Sequence, residues 1–143
     1  AFNLRPTEIT GFLGLTQLKF LVENCEIRQK NYLELETEVK NNPDLMPLKR
    51  GHISFLSSFA FPVVCKTKEL RTRYIEQFSG AGVEIRPVIA GNMQLQPFYA
   101  KYVKEIYPLP GADFLHECGF YFGNYPELTA ADLDMFRSCL RKY

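Results

Sequence analysis

Residues 53–90, ISFLSSFAFPVVCKTKELRTRYIEQFSGAGVEIRPVIA, set the architecture because they contain a strand, a helix and a second strand in succession. The first part, Ile53–Cys65, is rich in phenylalanine, valine and serine and follows an imperfect two-residue alternation, which predicts a strand. Pro62 lies within it. Because proline donates no backbone hydrogen bond, the strand is expected at a sheet edge or bulged at that residue.

The middle of this stretch predicts a helix. Thr67 is suited to cap its N-terminus, and apolar residues recur at helical spacing through Lys68–Ser79. Gly80 and Gly82 then end the helix, because glycine adopts the backbone conformations that close a helical C-terminus. Val83–Ala90 follows as the second strand, so the stretch forms one supersecondary unit.

Two helical regions precede this unit. Thr7 is a suitable N-cap for the first, in which residues 9–22 carry more apolar side chains than one helix stripe holds. We therefore expect that segment to be buried on more than one side. The second helix is amphipathic and ends at Asn41, Asn42 and Pro43. Its inward side is predicted to comprise Leu21, Cys25, Arg28, Tyr32, Leu35 and Val39.

The last third of the chain adds shorter elements. The predicted helices are Phe98–Val103, Asp113–Cys118 and Ala130–Leu140, and the predicted third strand is Gly119–Asn124. The sequence therefore predicts one α+β domain over residues 1–143. We expect a small, mostly antiparallel sheet packed on helices, with a long helical region at the N-terminus.

The composition argues against several classes of function. The 143 residues include 17 basic and 16 acidic side chains, a formal net charge of +1, so no nucleic-acid partner is expected. No apolar run approaches the roughly 20 residues of a membrane-spanning helix, so no membrane partner is expected either. The four cysteines form no CxxC pair and are interpreted as small hydrophobic residues in a reducing, cytoplasmic compartment.

Catalytic motifs are scarce. His52 is expected to be an exposed turn residue, and His116, although next to Glu117, is not part of an HExxH motif. We expect both histidines to be structural or exposed, and no residue is assigned a catalytic or metal-binding role. Neither a phosphate-binding GxGxxG nor a GxSxG nucleophile motif is present.

Two segments are candidate sites. Asn3 and Arg5 lie immediately before a helix N-terminus, where backbone N–H groups and the helix dipole favour anions. Arg86 lies within an apolar strand, where an arginine either pairs with a carboxylate or meets an anionic ligand. That strand leads into a polar loop at residues 91–96, and loops are common sites of function.

These segments also carry a resemblance. FNLRPTEI at residues 2–9 and GLTQL at residues 14–18 resemble the signature YNxRxTEIQAAIGLxQL of the DegT/DnrJ/StrS family of pyridoxal-phosphate-dependent nucleotide-sugar aminotransferases. Weaker matches follow in the family's order at residues 82–87, 96–99 and 125–129. The resemblance therefore extends over essentially the whole chain.

The resemblance implies a fold-type-I aminotransferase, in which a large α/β domain precedes a smaller C-terminal α+β domain. This chain resembles only the C-terminal part. The Schiff-base lysine and its neighbours precede that part in the family, so the chain is expected to be inactive alone and to bind no cofactor. Its parent enzyme would bind pyridoxal phosphate and act on a nucleotide-linked keto-sugar for lipopolysaccharide or deoxysugar synthesis. Ala1 falls within the signature loop, so we expect a truncated homodimeric enzyme.

Residue roles follow from the same resemblance. Asn3 matches an asparagine that reaches the cofactor phosphate of the other subunit, and Arg5 matches an arginine that shapes the shared active site. A salt bridge that holds the loop is the alternative for Arg5. Arg86, Asn92 and Gln96 match the region that approaches the sugar substrate.

Two alternatives stay open. Residues 92–97 and 119–123 look at least as much like family members that replace the lysine by histidine and act as sugar dehydratases. Leu95 stands where relatives often carry arginine, which leaves the sugar open. A separate, non-catalytic domain for dimerisation or sugar-nucleotide binding is the alternative of another class. If the chain acts alone, the apolar segment at residues 9–22 is expected to self-associate.

Overall fold

The computed structural model describes residues 6–89 and 91–142. Its helices and strands follow one another in the order that the sequence predicts. In chain order they are α1 (Glu8–Leu18), α2 (Leu21–Asn41), β1 (Ala60–Val64), α3 (Lys68–Gly80), β2 (Ile85–Pro87), a 3₁₀ turn (Met93–Leu95), α4 (Pro97–Tyr102), α5 (Pro110–Cys118), β3 (Gly119–Gly123) and α6 (Ala130–Leu140).

The three strands form one sheet in the order β1-β3-β2, and β3 is antiparallel to both of its neighbours. The strand–helix–strand unit is therefore split, because the last strand in the sequence lies between the first two. In the register, Ala60 pairs with Gly123 and Val64 with Gly119 on one side, and Ile85 pairs with Phe122 on the other. This confirms the predicted small antiparallel sheet.

Pro62 lies on an edge strand, as predicted. The Asn124 N–H donates to the Phe59 carbonyl at 2.8 Å, and the Cys65 N–H donates to the Cys118 carbonyl at 2.9 Å. Since hydrogen bonding alternates along an antiparallel pair, the odd-numbered residues of β1 bond to β3. The nitrogen of Pro62 therefore faces away from β3, where no hydrogen bond is lost.

The core lies between one face of the sheet and helices α2, α3 and α6. Phe122 is central to it: its ring centroid lies 5.3 Å from that of Phe61, 5.1 Å from Phe78 and 4.7 Å from Phe136. All four rings are buried. Aromatic pairs at this spacing add to the stabilisation that burial gives, so these rings join the sheet to α3 and α6.

Helix α2 packs as its periodicity predicts over its C-terminal half. Tyr32, Leu35 and Val39 are buried and belong to the core. Asn42 follows the helix, and its Nδ2 donates to the Tyr74 hydroxyl and to the Leu140 carbonyl, both at 2.6 Å. This side chain joins the end of α2 to α3 and α6.

The predicted strands are longer than the observed ones. Within Ile53–Cys65 only Ala60–Val64 is a strand, because Gln29 Oε1 accepts the Leu56 N–H at 2.9 Å and removes it from strand pairing. Within Val83–Ala90 the described part is a strand only at Ile85–Pro87, the residues that pair with β3.

The expectation that residues 9–22 are buried is wrong for the described chain. Helix α1 contains no buried residue, and the side chains of Phe12 and Leu15 are 67% and 70% exposed. Helices α2, α3 and α6 already supply the core on the inner face of the sheet, and no residue of α1 belongs to that core. Among the described helices, none is both long enough and apolar enough to cross a membrane.

Candidate functional site

The outer face of the sheet carries Arg86. Arg86 and Pro62 both pair with Tyr121 in the register, so these three side chains share the face opposite the core. An open cleft of about 530 Å³ is lined by residues of this face and, beside them, by Asp132, Met135 and Phe136 of α6 and by the core residues Val83 and Phe122. Its walls include Arg86 and Tyr121, together with Phe59, Glu84 and Tyr125.

Arg86 pairs with a carboxylate, the first of the two alternatives that the sequence allows. Its Nη2 and Nε both donate to Glu84 Oε1, at 2.5 and 2.9 Å. The two residues are two positions apart on an extended segment, which puts them on one face. Both side chains are largely exposed, and the contact with Glu84 raises the pKa of Arg86. An exposed pair of this kind exchanges readily with solvent or with a ligand.

Three aromatic side chains, Phe59, Tyr121 and Tyr125, line the same cleft as this ion pair. The Phe59 and Tyr121 centroids lie 6.4 Å apart at 78°, an edge-to-face contact. Phe59 is nevertheless 64% exposed and Tyr125 48% exposed. A Cβ on Gly123 would lie 3.3 Å from the Tyr125 ring, so a glycine at this position lets the ring lie over the strand. Exposed rings beside an ion pair form a surface suited to a flat ligand or to another protein surface.

The loop that follows β2 is fixed by Asn92, which is buried. Asn92 Oδ1 accepts the Gln94 N–H at 2.9 Å, and its Nδ2 donates to Asp113 Oδ1 at 2.5 Å. The Asn92 N–H donates to His116 Nδ1 at 3.4 Å. Asn92 therefore holds the loop against α5, a positioning role.

Gly91 and Gln96 bound the same loop. Gly91 has a positive φ of 50°, and a Cβ there would lie 2.2 Å from His116 Nδ1, so only glycine fits without displacing the ring. Gln96 is half-buried and occupies the N-cap position of α4, where its backbone N–H donates to the Met93 carbonyl at 3.1 Å. The loop is thus built from local hydrogen bonds at both ends.

The structure separates the predicted site residues into groups. Arg86 lines the cleft, whereas Asn92 and Gln96 lie in the loop after β2 and are not among the residues that line the cleft. Asn3 and Arg5 lie outside the described residues. The substrate-binding roles of Arg86, Asn92 and Gln96 stay predictions.

Sequence reasoning missed several of the groups that build these surfaces. The two-residue spacing of Glu84 and Arg86 on a strand was a usable signal for their pairing. Asp113 carried no such signal, because it follows Asn92 by 21 residues and their contact depends on the tertiary fold. His52 is exposed, and His116 Nδ1 accepts the Asn92 N–H in the loop after β2.

The described residues do not by themselves fit pyridoxal phosphate. A lysine that forms a Schiff base is activated by a desolvated pocket or by a cationic neighbour. The nine lysines of the chain all lie in the described ranges, and every one is exposed. These residues alone therefore supply no desolvated lysine for the cofactor.

The sequence of the chain is similar to those of known proteins. A model of the DegT/DnrJ/EryC1/StrS aminotransferase family matches residues 1–141. GDP-4-keto-6-deoxy-D-mannose 3-dehydratase of Escherichia coli O55:H7 is 27% identical over 142 residues, which are 98% of this chain and 37% of that protein. The chain therefore spans less than two fifths of the length of this relative.

Solved structures agree with the fold. A crystal structure of GDP-4-keto-6-deoxymannose-3-dehydratase with a trapped PLP-glutamate geminal diamine superposes with a TM-score of 0.83 at 27% identity, covering 99% of this chain and 37% of that chain. The sugar aminotransferase CalS13 of Micromonospora echinospora gives a TM-score of 0.82 at 17% identity, covering 99% of this chain and 36% of that one. The second similarity establishes the fold alone.

Proposed function

Because the chain belongs to the DegT/DnrJ/EryC1/StrS aminotransferase family, whose members are pyridoxal-phosphate-dependent sugar enzymes, we propose that it is the C-terminal small domain of such an enzyme. The substrate of the whole enzyme is a nucleotide-linked keto-sugar, and the enzyme is a cytoplasmic homodimer. The observation that supports this proposal is the family match over residues 1–141, in a chain that covers 37% of a dehydratase relative.

In this proposal the chain supplies binding surfaces. Asn3 and Arg5 approach the cofactor phosphate of the other subunit. Arg86 and the loop that carries Asn92 and Gln96 approach the sugar, with Asn92 fixing the loop through Asp113 as described above. The groups that carry out proton transfer belong to the part of the enzyme that precedes this domain.

Of the two activities in the family, we favour dehydration at carbon 3 of the sugar. The dehydratases are 27% identical to this chain over nearly its whole length, whereas the sugar aminotransferase CalS13 is 17% identical. The aminotransferase, which the resemblance put first, is the second candidate. It is supported by the family and the fold.

The test uses the complete gene product. Its coding sequence upstream of Ala1 is determined, and the whole protein is supplied with pyridoxal phosphate, glutamate and GDP-4-keto-6-deoxy-D-mannose. Mass spectrometry of the product distinguishes a sugar that has lost the oxygen at carbon 3 from one whose keto group has become an amine. The first product supports the dehydratase and the second the aminotransferase. A gene that encodes no upstream cofactor domain would overturn the proposal.

A further inference from the structure

The cleft that Arg86 lines has the dimensions of a small-molecule site. Its volume of about 530 Å³ falls in the range of roughly 300–1,000 Å³ that ligand sites occupy. Tyr125 presents a half-exposed ring that Gly123 lets lie over the strand. Such a ring offers a planar surface on which a nucleobase stacks.

The charges of the cleft select which end of a nucleotide it accepts. Arg86 is its basic side chain, and Glu84 and Asp132 are its acidic ones, so the formal charge of the lining is −1. A diphosphate is repelled by such a lining. A neutral base that carries hydrogen-bond donors is accepted, because carboxylates accept and do not donate.

The carboxylate of Glu84 can accept further hydrogen bonds. Both contacts from Arg86 go to Oε1, so Oε2 has no partner among the described residues. Asp132 likewise takes both of its contacts on one oxygen, Oδ2, which accepts the N–H and the hydroxyl of Thr129 in the cap of α6, so Oδ1 has no partner among the described residues. Each carboxylate of the cleft lining therefore has one open oxygen, and the carboxylate of Glu84 is the one that takes no part in a helix cap.

From these observations we propose that the cleft binds the guanine base of a nucleotide sugar. Guanine is the base with two adjacent donors, N1–H and the N2 amino group, on one edge, so it can donate to Glu84 Oε2 while Oε1 accepts from Arg86. Glu84 accepts from this edge, and Tyr125 stacks on the ring. The inference rests on the proposed function, which supplies a nucleotide-linked sugar as the ligand class, and it adds the recognition of the base.

The experiment titrates guanosine and adenosine into the 143-residue chain and follows backbone amide shifts by NMR. Guanosine is expected to shift the amides around Glu84, Gly123 and Tyr125 and to bind at least tenfold more tightly than adenosine. Glu84→Gln keeps the size of the side chain and removes its charge, so we expect at least a tenfold loss for guanosine and little change for adenosine. Tyr125→Leu is expected to weaken both nucleosides about fivefold, the lower end of what one stacking contact contributes.

Matched controls change the same residue types elsewhere. Glu76→Gln on the exposed side of α3 and Tyr102→Leu on α4 are expected to leave guanosine binding unchanged. Guanosine shifts that are absent, that map outside the cleft, or that survive Glu84→Gln would overturn the assignment. A cleft that is instead covered by protein in the complete gene product, with no guanosine bound, would overturn it as well.

The failure of this inference is distinguishable from failure of the proposed function. If the complete gene product converts GDP-4-keto-6-deoxy-D-mannose and Glu84→Gln leaves its KM unchanged, only the guanine site is wrong. If the gene product converts no nucleotide sugar, the proposed function fails whatever the guanosine titration shows. A raised KM at unchanged kcat in Glu84→Gln supports both.

Discussion

The carboxylate of Glu36 forms ion pairs with two cationic side chains, Lys40 and Arg50. Glu36 is buried, and its carboxylate accepts from Arg50 Nε and Nη2, both at 2.6 Å, and from Lys40 Nζ at 2.7 Å. The hydrogen bonds from Arg50 are the main reason that its pKa falls from 4.5 to about 2. The interaction joins α2 to the turn at residues 50–53, so it fixes a long connection in place.

We predict that Glu36→Gln destabilises the chain by about 1–2 kcal/mol at pH 7, since a charge-assisted pair is replaced by a neutral contact. Because the pKa of Glu36 is lowered on folding, the unfolded chain binds more protons, so this stabilisation is present above about pH 4.5 and is lost as pH falls toward 2. Urea unfolding of both proteins at several pH values measures it. A stability difference that stays constant from pH 6 to pH 2.5 would contradict the assignment.

The limits of sequence reasoning are clearest for such polar residues. The spacing of Glu36 and Lys40 is visible in the sequence, because side chains four apart meet on a helix. Arg50 is 14 residues away, and its contact exists only once residues 42–49 have turned back along α2. In the same way, Arg86 could be identified as a candidate from the sequence. Tyr125 could not, because it lines the same cleft as Arg86 only once β3 has paired with β2.

At the scale of elements, helices were predicted better than strands. Helix α6 has the predicted bounds, and its N-terminus is capped by reciprocal hydrogen bonds between Thr129 and Asp132. A cap is local in sequence, whereas a strand needs a partner that the sequence does not name. Residues 53–59 have strand composition, yet a glutamine of α2 takes the hydrogen bond of Leu56.

The same substitution is expected to destabilise the chain far more at a buried phenylalanine than at an exposed one. Phe122→Ala is expected to cost about 3–5 kcal/mol, because its ring is surrounded by Phe61, Phe78 and Phe136. Phe59→Ala on the outer side is the matched control, and its effect is expected to be within about 0.5 kcal/mol. Chemical denaturation of both variants measures the difference. Equal losses would mean that the outer face is packed as the core is.

At the scale of the whole molecule, α1 is a helix whose apolar side chains do not belong to the described core. Its apolar residues point to solvent on every side, and exposed apolar surface of this extent marks an interaction site. We predict that the chain self-associates through this helix. Sedimentation velocity over a concentration series is expected to show a reversible shift to larger species. Phe12→Lys with Leu15→Lys is expected to abolish that shift, whereas Leu95→Lys outside the helix retains it. A chain that stays monomeric at high concentration would contradict the prediction.

In the proposed enzyme, the lysine that binds the cofactor belongs to the part that precedes this domain. Since all nine lysines are exposed, pyridoxal phosphate added to the 143-residue chain has no desolvated amine to react with. We expect a visible spectrum close to that of the free cofactor and, after borohydride reduction, sparse labelling spread over several lysines in peptide mass spectra. The complete gene product, tested in parallel, is expected to retain the cofactor through gel filtration. Stoichiometric labelling of one lysine in the short chain would show that it forms a cofactor site of its own, and the proposed need for a preceding domain would then be wrong.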